Sequence, residues 1–210
     1  SAFFIVLTLL SKKSTLIIEN VNVNPSRIGI IKILNKMGAN IIFKNKKIYK
    51  GEPIADIFVK SSILLKPINC PEQLNSSAID EFLLIFLIAA KSKGVSYFKN
   101  LSELNQKESP RLKLGSKILN MIGIKTKLTN HSIKIYGQPN LKPKKNYEVK
   151  NYLKDHRIFM MTTIMALTFG GNWKIYDPDS IKTSFPSFLK IVKSLGGKIK
   201  WWTSKKIIHF

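Results

Sequence analysis

Ionisable side chains that could carry out chemistry are concentrated in three short stretches of the sequence. They read IDE (79–81), KESPR (107–111) and DHR (155–157), and together they combine carboxylates, a histidine, a lysine and two arginines. Such a set can bind an anion and move protons on it. The first and third stretches stand directly before strongly apolar segments, which predicts that they begin buried helices. Helix N-termini carry unpaired N–H groups and favour anionic ligands.

A fourth stretch, Pro25-Ser26-Arg27, precedes the first amphipathic segment, and all four occupy equivalent ends in the repeat described below. We therefore expect them to lie on one side of the domain. Capping is the alternative: Ser109 or Asp155 could cap a helix, and Asp80 and Glu81 could interact with a helix dipole. Four such ends, three of them bearing arginine, favour a site for a multiply anionic substrate. The carboxylates argue against nucleic acid, whose phosphates they would repel.

The elements that must position these groups form a repeat. Its three copies read KILNKMGANIIF (32–43), KILNMIGIKTKL (117–128) and KIVKSLGGKIKW (190–201). Each copy predicts the end of an amphipathic helix, a glycine at the helix C′ position and an alternating strand. The spacing of the copies is too long for a simple solenoid and indicates a larger supersecondary unit.

Each unit has a strongly apolar helix and a strand upstream, so it reads buried helix, strand, amphipathic helix, strand, strand. The final two strands form a hairpin, and the middle hairpin turns at Asn130-His131, where His131 has no predicted function. The pattern predicts an α/β (α+β-like) fold with a mixed sheet. We expect the apolar helices to form an inner layer and the amphipathic helices an outer layer.

Composition limits the function classes. The chain has 210 residues, of which 44% are hydrophobic, so it can form a real core. The single cysteine, Cys70, excludes an internal disulfide framework, and no Cys and His cluster has zinc spacing. The apolar runs SAFFIVLTLL (1–10) and FLLIFLIAA (82–90) are too short to span a bilayer and predict buried helices. The first run also begins abruptly, in the middle of a helix-like pattern, which suggests that an N-terminal part of a longer protein is missing.

The charge is strongly basic, with 35 Lys and Arg against 12 Asp and Glu and a formal net charge of +23. One interpretation is a protein that binds nucleic acid or a membrane surface. The other, which we favour, is a genome rich in Lys, Asn and Ile codons, because the lysines are scattered over turns and strand ends. In either case the positive field attracts anionic small molecules.

The motifs resemble those of the EPSP synthase family over nearly the whole chain. They include NPSRIG with LNKMGANI, IADIFVKSS, IDEF, KESPRL, DHRIFM and TSFPSFLKIVKSLGGKI. KESxR together with DHR separates this family from the related enolpyruvyl transferase of cell-wall synthesis, and IDEF and TSFP are similar to the subgroup that is less sensitive to glyphosate. The resemblance covers about the C-terminal half of such an enzyme. It implies the enolpyruvyl transferase fold, built from βαβαββ units around buried helices, with residues 1–25 left from the last unit of the N-terminal domain and residues 26–210 forming the C-terminal domain.

The resemblance also implies an activity. The family transfers the enolpyruvyl group of phosphoenolpyruvate to the 5-hydroxyl of shikimate 3-phosphate and releases phosphate, a step of the shikimate pathway, with no metal or organic cofactor. By motif, Asp80 is the general base at the shikimate hydroxyl, and Glu108 transfers the proton at the phosphoenolpyruvate methylene. The partners implied are the two substrates and the missing N-terminal half. A cytoplasmic location is expected, without membrane and without nucleic acid.

The remaining site residues are implied to bind substrate. Lys107 orients the substrate and the acids, Arg111 and Arg157 hold the carboxylate and phosphate of phosphoenolpyruvate, and His156 and Asp155 support Arg157. Because both substrates are polyanions, this resemblance explains why a buried helix begins with three ionisable groups.

Some positions depart from the family pattern. The family motif RVKESDR reads NQKESPR (105–111) here, and Lys182 is one residue out of register with a family lysine. Because the substrate-binding residues of the N-terminal half are absent from this sequence, we expect no turnover by this chain alone. Two alternatives stay open: a catalytically dead basic protein that binds nucleic acid or other polyanions, and an enolpyruvyl transferase acting on another anionic sugar or cyclic alcohol.

Overall fold

The computed structural model describes residues 1–62, 64–202 and 207–210 of the chain. The helices are α1 (Ala2–Leu10), α2 (Gly29–Lys36), α3 (Asn75–Ala78), α4 (Phe82–Lys91), α5 (Arg111–Met121), α6 (His156–Phe169) and α7 (Phe188–Ser194). The strands are β1 (Thr15–Asn22), β2 (Asn40–Tyr49), β3 (Glu52–Lys60), β4 (Gly94–Phe98), β5 (Thr126–Leu128), β6 (Ile133–Gly137), β7 (Asn146–Val149), β8 (Asn172–Tyr176), β9 (Lys200–Trp202) and β10 (Ile207–His209).

The strands form three sheets, one for each predicted unit. Their orders are β1-β3-β2, β4-β6-β5 and β7-β8-β10-β9. In each unit a buried helix is followed by a strand, an amphipathic helix and two further strands, as the repeat predicted. Between the strands of the described residues, all pairings are antiparallel except that of β7 with β8, which is parallel. The α/β organisation with a mixed sheet is therefore confirmed.

The sequence pattern missed the strand that precedes the buried helix. In the third unit this strand is β7, which lies before α6 and runs parallel to β8. In the second unit it is reduced to a single parallel bridge between Asn69 and Tyr97. With this strand the unit reads βαβαββ, as the family resemblance implied.

The three apolar helices form the inner layer. Helices α1, α4 and α6 pack against one another, and residues Phe82 to Ala90 of α4 are all buried. The rings of Phe82, Phe86 and Phe98 meet at centroid distances of 5.4 to 6.0 Å. Among the described residues, one helical stretch, Glu72–Lys91, is long and apolar enough to cross a membrane, but its second half is α4, which is buried from Phe82 to Ala90.

The amphipathic helices α2, α5 and α7 bury one face and expose their lysines, except for the half-buried Lys32. The glycine after each of them has a positive φ: +85° at Gly38, +96° at Gly123 and +91° at Gly196. At Gly123 and Gly196 an added Cβ would meet nothing within 4 Å. The left-handed backbone is therefore what requires glycine there, as the sequence predicted.

The hairpins at the ends of the units also follow the prediction. Residues Asn130 and His131 lie between β5 and β6, where Thr129 and Ser132 close the turn through a backbone hydrogen bond of 2.9 Å. The strands of the third hairpin, β9 and β10, pair antiparallel. Residues 203–206, which separate these two strands in the sequence, lie outside the described residues.

Residues 1–25 are an integral part of this packing. Strand β1 pairs with β3 over Thr15 to Asn22, and Phe4 of α1 contacts Phe185 and Phe188 at 5.9 and 5.8 Å between ring centroids. The packing therefore shows no break at the expected domain boundary after residue 25. The assignment of residues 1–25 to another domain stays a prediction.

Candidate active site

The N-terminus of α6 is built around Asp155. This residue is the N-cap of the helix: its Oδ1 accepts hydrogen bonds from the backbone N–H groups of Arg157 at 2.8 Å and Ile158 at 3.3 Å. Capping satisfies two of the four N–H groups that a helix start leaves unpaired. The alternative reading of Asp155 as a cap is thus correct, but it describes only one of the two carboxylate oxygens.

The other oxygen of Asp155 connects α6 with the loop before α5. Oδ2 accepts from Ser109 Oγ and from Arg111 Nε, both at 2.8 Å, and Asp155 is fully buried. Burial alone would raise the pKa of this carboxyl, but the hydrogen bonds from Arg111 and Ser109 and the guanidinium charge hold the pKa below its ordinary value. Ser109 therefore binds Asp155 and caps no helix, so that alternative for Ser109 was wrong.

Arg111 stands at the centre of the cluster. It is the first residue of α5, and only 4% of its side chain is exposed. Besides the bond to Asp155, its Nη1 lies 3.4 Å from Asp80 and its Nη2 3.8 Å from Glu108. One guanidinium thus contacts three carboxylates that come from three separate stretches of the chain.

Asp80 lies in a 3₁₀ turn, Ile79–Glu81, directly ahead of α4. Its carboxylate is also 3.6 Å from Arg157 Nη2 and 3.7 Å from Lys107 Nζ, and 43% of its side chain is exposed. Three cations from two helix starts and a loop therefore surround a carboxylate that solvent can reach.

The side chain of Arg157 is held by two residues that lie just ahead of α4. Its Nη1 donates to the backbone carbonyl of Asp80 at 2.7 Å and lies 3.5 Å from Glu81 Oε1. Burial raises the pKa of Glu81, and the positive charge of Arg157 opposes this shift only in part. A fifth of the Arg157 side chain, 22%, remains exposed, so the guanidinium can be reached from outside.

Glu108 and His156 form a second acid–base pair. His156 Nδ1 and Glu108 Oε2 are 2.8 Å apart, and about half of the Glu108 side chain is exposed. His156 Nδ1 donates in this contact when Glu108 is ionised, and Glu108 donates to Nδ1 when the carboxyl carries the proton. The pair lies at the open side of Arg111, where a ligand could exchange protons with it.

The structure brings all seven predicted site residues into one network. Its members are Asp80, Lys107, Glu108, Arg111, Asp155, His156 and Arg157. Arg27 does not join it: within the described ranges Arg27 forms no ion pair, and its charge acts on Glu52 in the β2–β3 hairpin instead. The expectation that four helix starts converge therefore holds for three stretches only.

Two carboxylates and one hydroxyl in this network received no functional role from the sequence. Glu103 binds Lys107 Nζ at 2.6 Å, a contact that the i, i+4 spacing could have indicated. Glu81 binds Arg157, and Ser109 binds Asp155. The last two contacts join residues far apart in sequence, so the sequence contains no signal for them.

Three of the acidic and imidazole groups are close enough to suggest a metal ion. Ligand atoms of Glu108, Asp155 and His156 lie within 4.8 Å of one another. Both oxygens of Asp155 already accept two hydrogen bonds each, and Arg111 contacts Glu108 and Asp155 together. The Asp155 oxygens are thus already occupied by hydrogen-bond donors, and the positive guanidinium of Arg111 lies next to both carboxylates. This set of residues therefore does not suit a metal cation.

The arrangement suits an anionic ligand that exchanges protons. Two partly exposed carboxylates, Asp80 and Glu108, flank one guanidinium, and Lys107 and Arg157 add positive charge at the rim. Two cavities lie elsewhere: one of about 660 Å³ on the β7-β8-β10-β9 sheet and one of about 730 Å³ at residues 137–142. Within the cluster, the side chains of Asp80 and Glu108 are about half exposed to solvent, so a second body would be needed to enclose a ligand there.

Comparison with known proteins gives a consistent result. The sequence model of the family described as EPSP synthase (3-phosphoshikimate 1-carboxyvinyltransferase) matches residues 1–192. The protein of that name from Ruthia magnifica subsp. Calyptogena magnifica is 39% identical over 199 residues, which are 95% of this chain and 45% of the relative. The one from Thermodesulfovibrio yellowstonii is 36% identical, over 93% of this chain and 44% of the relative.

Solved structures agree with this assignment. The EPSP synthase of Acinetobacter baumannii superimposes with a TM-score of 0.89 at 34% identity, over 95% of this chain and 45% of that one. The enolpyruvyl transferase NikO of Streptomyces tendae has a TM-score of 0.70 at 14% identity and covers all of this chain and 43% of its own, which shows the fold alone. The chain thus spans a little less than half the length of the curated relatives it matches.

Proposed function

The chain belongs to the EPSP synthase (3-phosphoshikimate 1-carboxyvinyltransferase) family, and from that premise we propose that it forms the C-terminal half of such an enzyme. The reaction is transfer of the enolpyruvyl group of phosphoenolpyruvate to the 5-hydroxyl of shikimate 3-phosphate. Phosphate leaves, and the product is used for aromatic amino acid biosynthesis.

One observation carries the proposal: Asp80 and Glu108 contact the same guanidinium of Arg111, at 3.4 and 3.8 Å. The reaction needs a proton removed from the attacking hydroxyl and a proton delivered to the methylene carbon. Two carboxylates on either side of one cation can share that work across a small ligand. Their partial exposure leaves both accessible to substrate.

Asp80 acts as the base at the 5-hydroxyl of shikimate 3-phosphate. Glu108, paired with His156, transfers the proton at the methylene carbon of phosphoenolpyruvate. When the tetrahedral intermediate collapses, the methyl proton returns to Glu108, the C–O bond to phosphate breaks, and the proton that Asp80 took from the hydroxyl passes to the departing phosphate. His156 keeps the Glu108 carboxylate oriented through Nδ1.

The cations bind the anionic groups of the two substrates, both the phosphate that leaves and the groups that stay on the product. Arg111 is fixed by its short bond to the buried Asp155, whereas its contacts to Asp80 and Glu108 are longer than 3.2 Å and can be exchanged for a phosphate or carboxylate. Arg157 is partly exposed and presents a second guanidinium. Lys107, which is paired with Glu103, adds an ammonium 3.7 Å from Asp80.

The enzyme needs the half that this chain does not contain. We propose that the open surface over the cluster is closed by an N-terminal half with substrate in between, so that the chain alone does not turn over. Residues 26–210 belong to the C-terminal domain. Because residues 1–25 pack against them, we include residues 1–25 in the same domain. No metal or organic cofactor enters the scheme, and the setting is cytoplasmic.

Sequence departures bear on the level of activity. Asn105 and Gln106 replace Arg and Val of the family motif, and Pro110 replaces Asp. Pro110 is the N-cap of α5 with φ −70°, a conformation that proline adopts without strain. Reduced sensitivity to glyphosate, suggested by IDEF and TSFP, stays a prediction.

The alternative is a basic protein of the same fold that lost catalysis and binds nucleic acid or other polyanions. Its supporting observation is the formal net charge of +23. Exposed lysines outside the cluster would then carry the binding, and the cluster itself would be dispensable.

The test is a chimera in which the N-terminal half of the Ruthia magnifica relative is fused to Ser1. We expect phosphate release from shikimate 3-phosphate and phosphoenolpyruvate, and a loss of about 10²- to 10⁴-fold in kcat for Asp80→Asn or Glu108→Gln. Glu148→Gln, an exposed carboxylate on β7, is the matched control and should leave the rate unchanged. An inactive, folded chimera, with salt-dependent DNA binding by the chain that survives Asp80→Asn, would support the alternative.

A further inference from the structure

The β7-β8-β10-β9 sheet carries a row of ionisable side chains across its outer face. The register places Lys174 of β8 beside Glu148 of β7. On the other side of Lys174 stands His209 of β10, which in turn lies beside Lys200 of β9. Residues in one row across a sheet direct their side chains to the same face. Trp173, which precedes Lys174, is buried on the opposite face, so the row faces away from the core.

A cavity of about 660 Å³ is lined by this row. Its volume falls in the range of small-molecule sites, roughly 300 to 1,000 Å³, and is much larger than a single inorganic anion needs. Its walls also contain Lys198, just ahead of β9, and the half-buried apolar side chains of Ile199 and Phe210. The cavity therefore combines several cations with apolar surface.

The charges that line the cavity are not balanced. Glu148 is the one side-chain carboxylate in the described lining, and it already lies 3.4 Å from Lys150 and 4.0 Å from Lys174. Lys198 and Lys200 are exposed, and within the described part of the chain neither forms an ion pair. A phosphate monoester, which carries a charge of about −1.5 to −2 at pH 7, would balance these two ammonium groups.

The cavity also offers polar groups for a ring edge. Asn146 and Asn172 belong to its lining, and their side-chain amides are joined by one hydrogen bond of 3.0 Å. Each amide keeps further donor or acceptor positions, and both side chains are exposed. A heteroaromatic ring could therefore bind these amides at its edge.

This cavity is separate from the charged cluster. Asn172 begins β8 just after the C-terminal end of α6, whereas the cluster lies at the N-terminus of that helix. Helix α6 has 14 residues, so the two places are about 20 Å apart. The cavity and the cluster share no residue. A ligand bound in the cavity would therefore not contact the proposed catalytic groups.

We propose that this cavity binds an organic phosphate of about the size of a mononucleotide. Lys198 and Lys200 hold its phosphate, with Lys174 as a third cation. Its ring packs against Ile199 and Phe210. Lys174 and Lys200 are two strands apart, roughly 10 Å between their Cα atoms, a span that two lysine side chains can bridge to one phosphate. The proposal goes beyond the proposed function and does not depend on it.

The test is a titration of the full 210-residue chain with adenosine 5′-monophosphate (AMP), followed by NMR. We expect the backbone amide signals of Lys174, Lys200 and His209 to shift together, with a dissociation constant below about 1 mM. Adenosine and inorganic phosphate are the two partial ligands. Each should bind at least about ten-fold more weakly than AMP, because each lacks either the charge or the ring.

Variants separate the cavity from the general positive field. Lys200→Gln removes one of the unbalanced charges and should weaken AMP binding at least about ten-fold. Lys127→Gln is the matched control, since Lys127 is an exposed lysine on β5 in another sheet, and should change the affinity by less than about two-fold. Phe210→Ala should weaken the binding of AMP but not that of inorganic phosphate.

Three results would overturn the proposal. The first is that about 10 mM AMP, ten times the expected limit, shifts none of the three signals or shifts only those of the cluster, such as Arg111 and Arg157. The second is equal affinity for AMP and inorganic phosphate, because the apolar wall would then bind nothing. The third is an equal loss for Lys200→Gln and Lys127→Gln, which would show that only the diffuse positive field attracts the anion.

Discussion

The charged cluster at the helix starts and the β2–β3 hairpin are both rich in ionisable groups, yet they use them differently. In the cluster, carboxylates and cations alternate, and Asp155 and Arg111 are buried. In the hairpin, the lysines of β2 are exposed, and two of them lie over aromatic rings: Lys44 at 4.8 Å from the Phe58 centroid and Lys46 at 5.8 Å from that of Phe43.

The difference separates charge that is built into the structure from charge that is only solvated. A buried ion pair is costly to desolvate and is retained only where its hydrogen bonds are complete. Each oxygen of Asp155 meets two donors, so that condition is met. Exposed lysines interact through a high dielectric and contribute little each. The net charge of the chain is therefore a poor guide to its function.

The largest effect should come from Asp155. Asp155→Ala leaves the buried Arg111 guanidinium without its partner and removes the cap of α6, and we expect a loss of about 3–5 kcal/mol in the free energy of unfolding. Denaturant unfolding of the 210-residue chain measures it. Asp155→Asn retains an oxygen for the cap and should lose less. Equal losses for both variants would mean that capping and charge are not separable here.

The next effect concerns Arg157 in the active chimera. Arg157→Lys loses the planar fork that binds both the Asp80 carbonyl and Glu81, and we expect kcat/KM for phosphoenolpyruvate to fall roughly ten- to hundred-fold. Arg27→Lys, an arginine outside the cluster, is the matched control and should change it by less than about two-fold. A similar loss for both variants would remove the distinction between the regions.

The pH dependence of stability should have opposite signs at two carboxylates. The pKa of Asp155 is below its ordinary 3.8 in the folded state, so its contribution is complete above about pH 4 and is lost as the pH falls further. The pKa of Glu81 is above its ordinary 4.5, so ionised Glu81 costs stability at neutral pH and protonation relieves that cost.

Unfolding measured from pH 3 to pH 8 tests both signs. Glu81→Gln should be more stable than the parent at pH 7, and the difference should vanish below its ordinary pKa of 4.5. Asp155→Asn should be less stable at pH 7 and approach the parent in acid. A Glu81→Gln variant that is less stable at pH 7 would show that the ion pair with Arg157 outweighs burial.

The smallest effects should come from the hairpin. Lys46→Gln removes an exposed charge on β2 and should change the free energy of unfolding by less than about 0.5 kcal/mol. It should also leave kcat/KM of the chimera unchanged at moderate salt, since the field of one exposed charge is screened within about 10 Å. A large loss of activity would indicate that the hairpin takes part in substrate binding.

Much of the fold could be predicted from the sequence because its signals are local. The helix C′ glycines, the apolar helices and the terminal hairpins each depend on a few neighbouring residues. The first strand of the unit could not be predicted, since in the second unit it is a single bridge at Asn69 that has no periodic pattern. The repeat placed α1 and β1 in the first unit, but the register in which β1 pairs with β3 has no signal in the sequence, because strand pairing joins segments distant in the chain.

The sequence by itself determined the family, the repeat and the seven residues that the structure brings together at and just ahead of the helix starts. Only the tertiary structure decided how they pair: Arg111 meets an Asp155 that is 44 residues away, and Arg157 meets the carbonyl of Asp80 across 77 residues. The physical reason is that residue type and spacing fix which groups a helix start presents. The packing of α4, α5 and α6 against one another fixes which of these groups come within hydrogen-bonding distance and which of them lose contact with water.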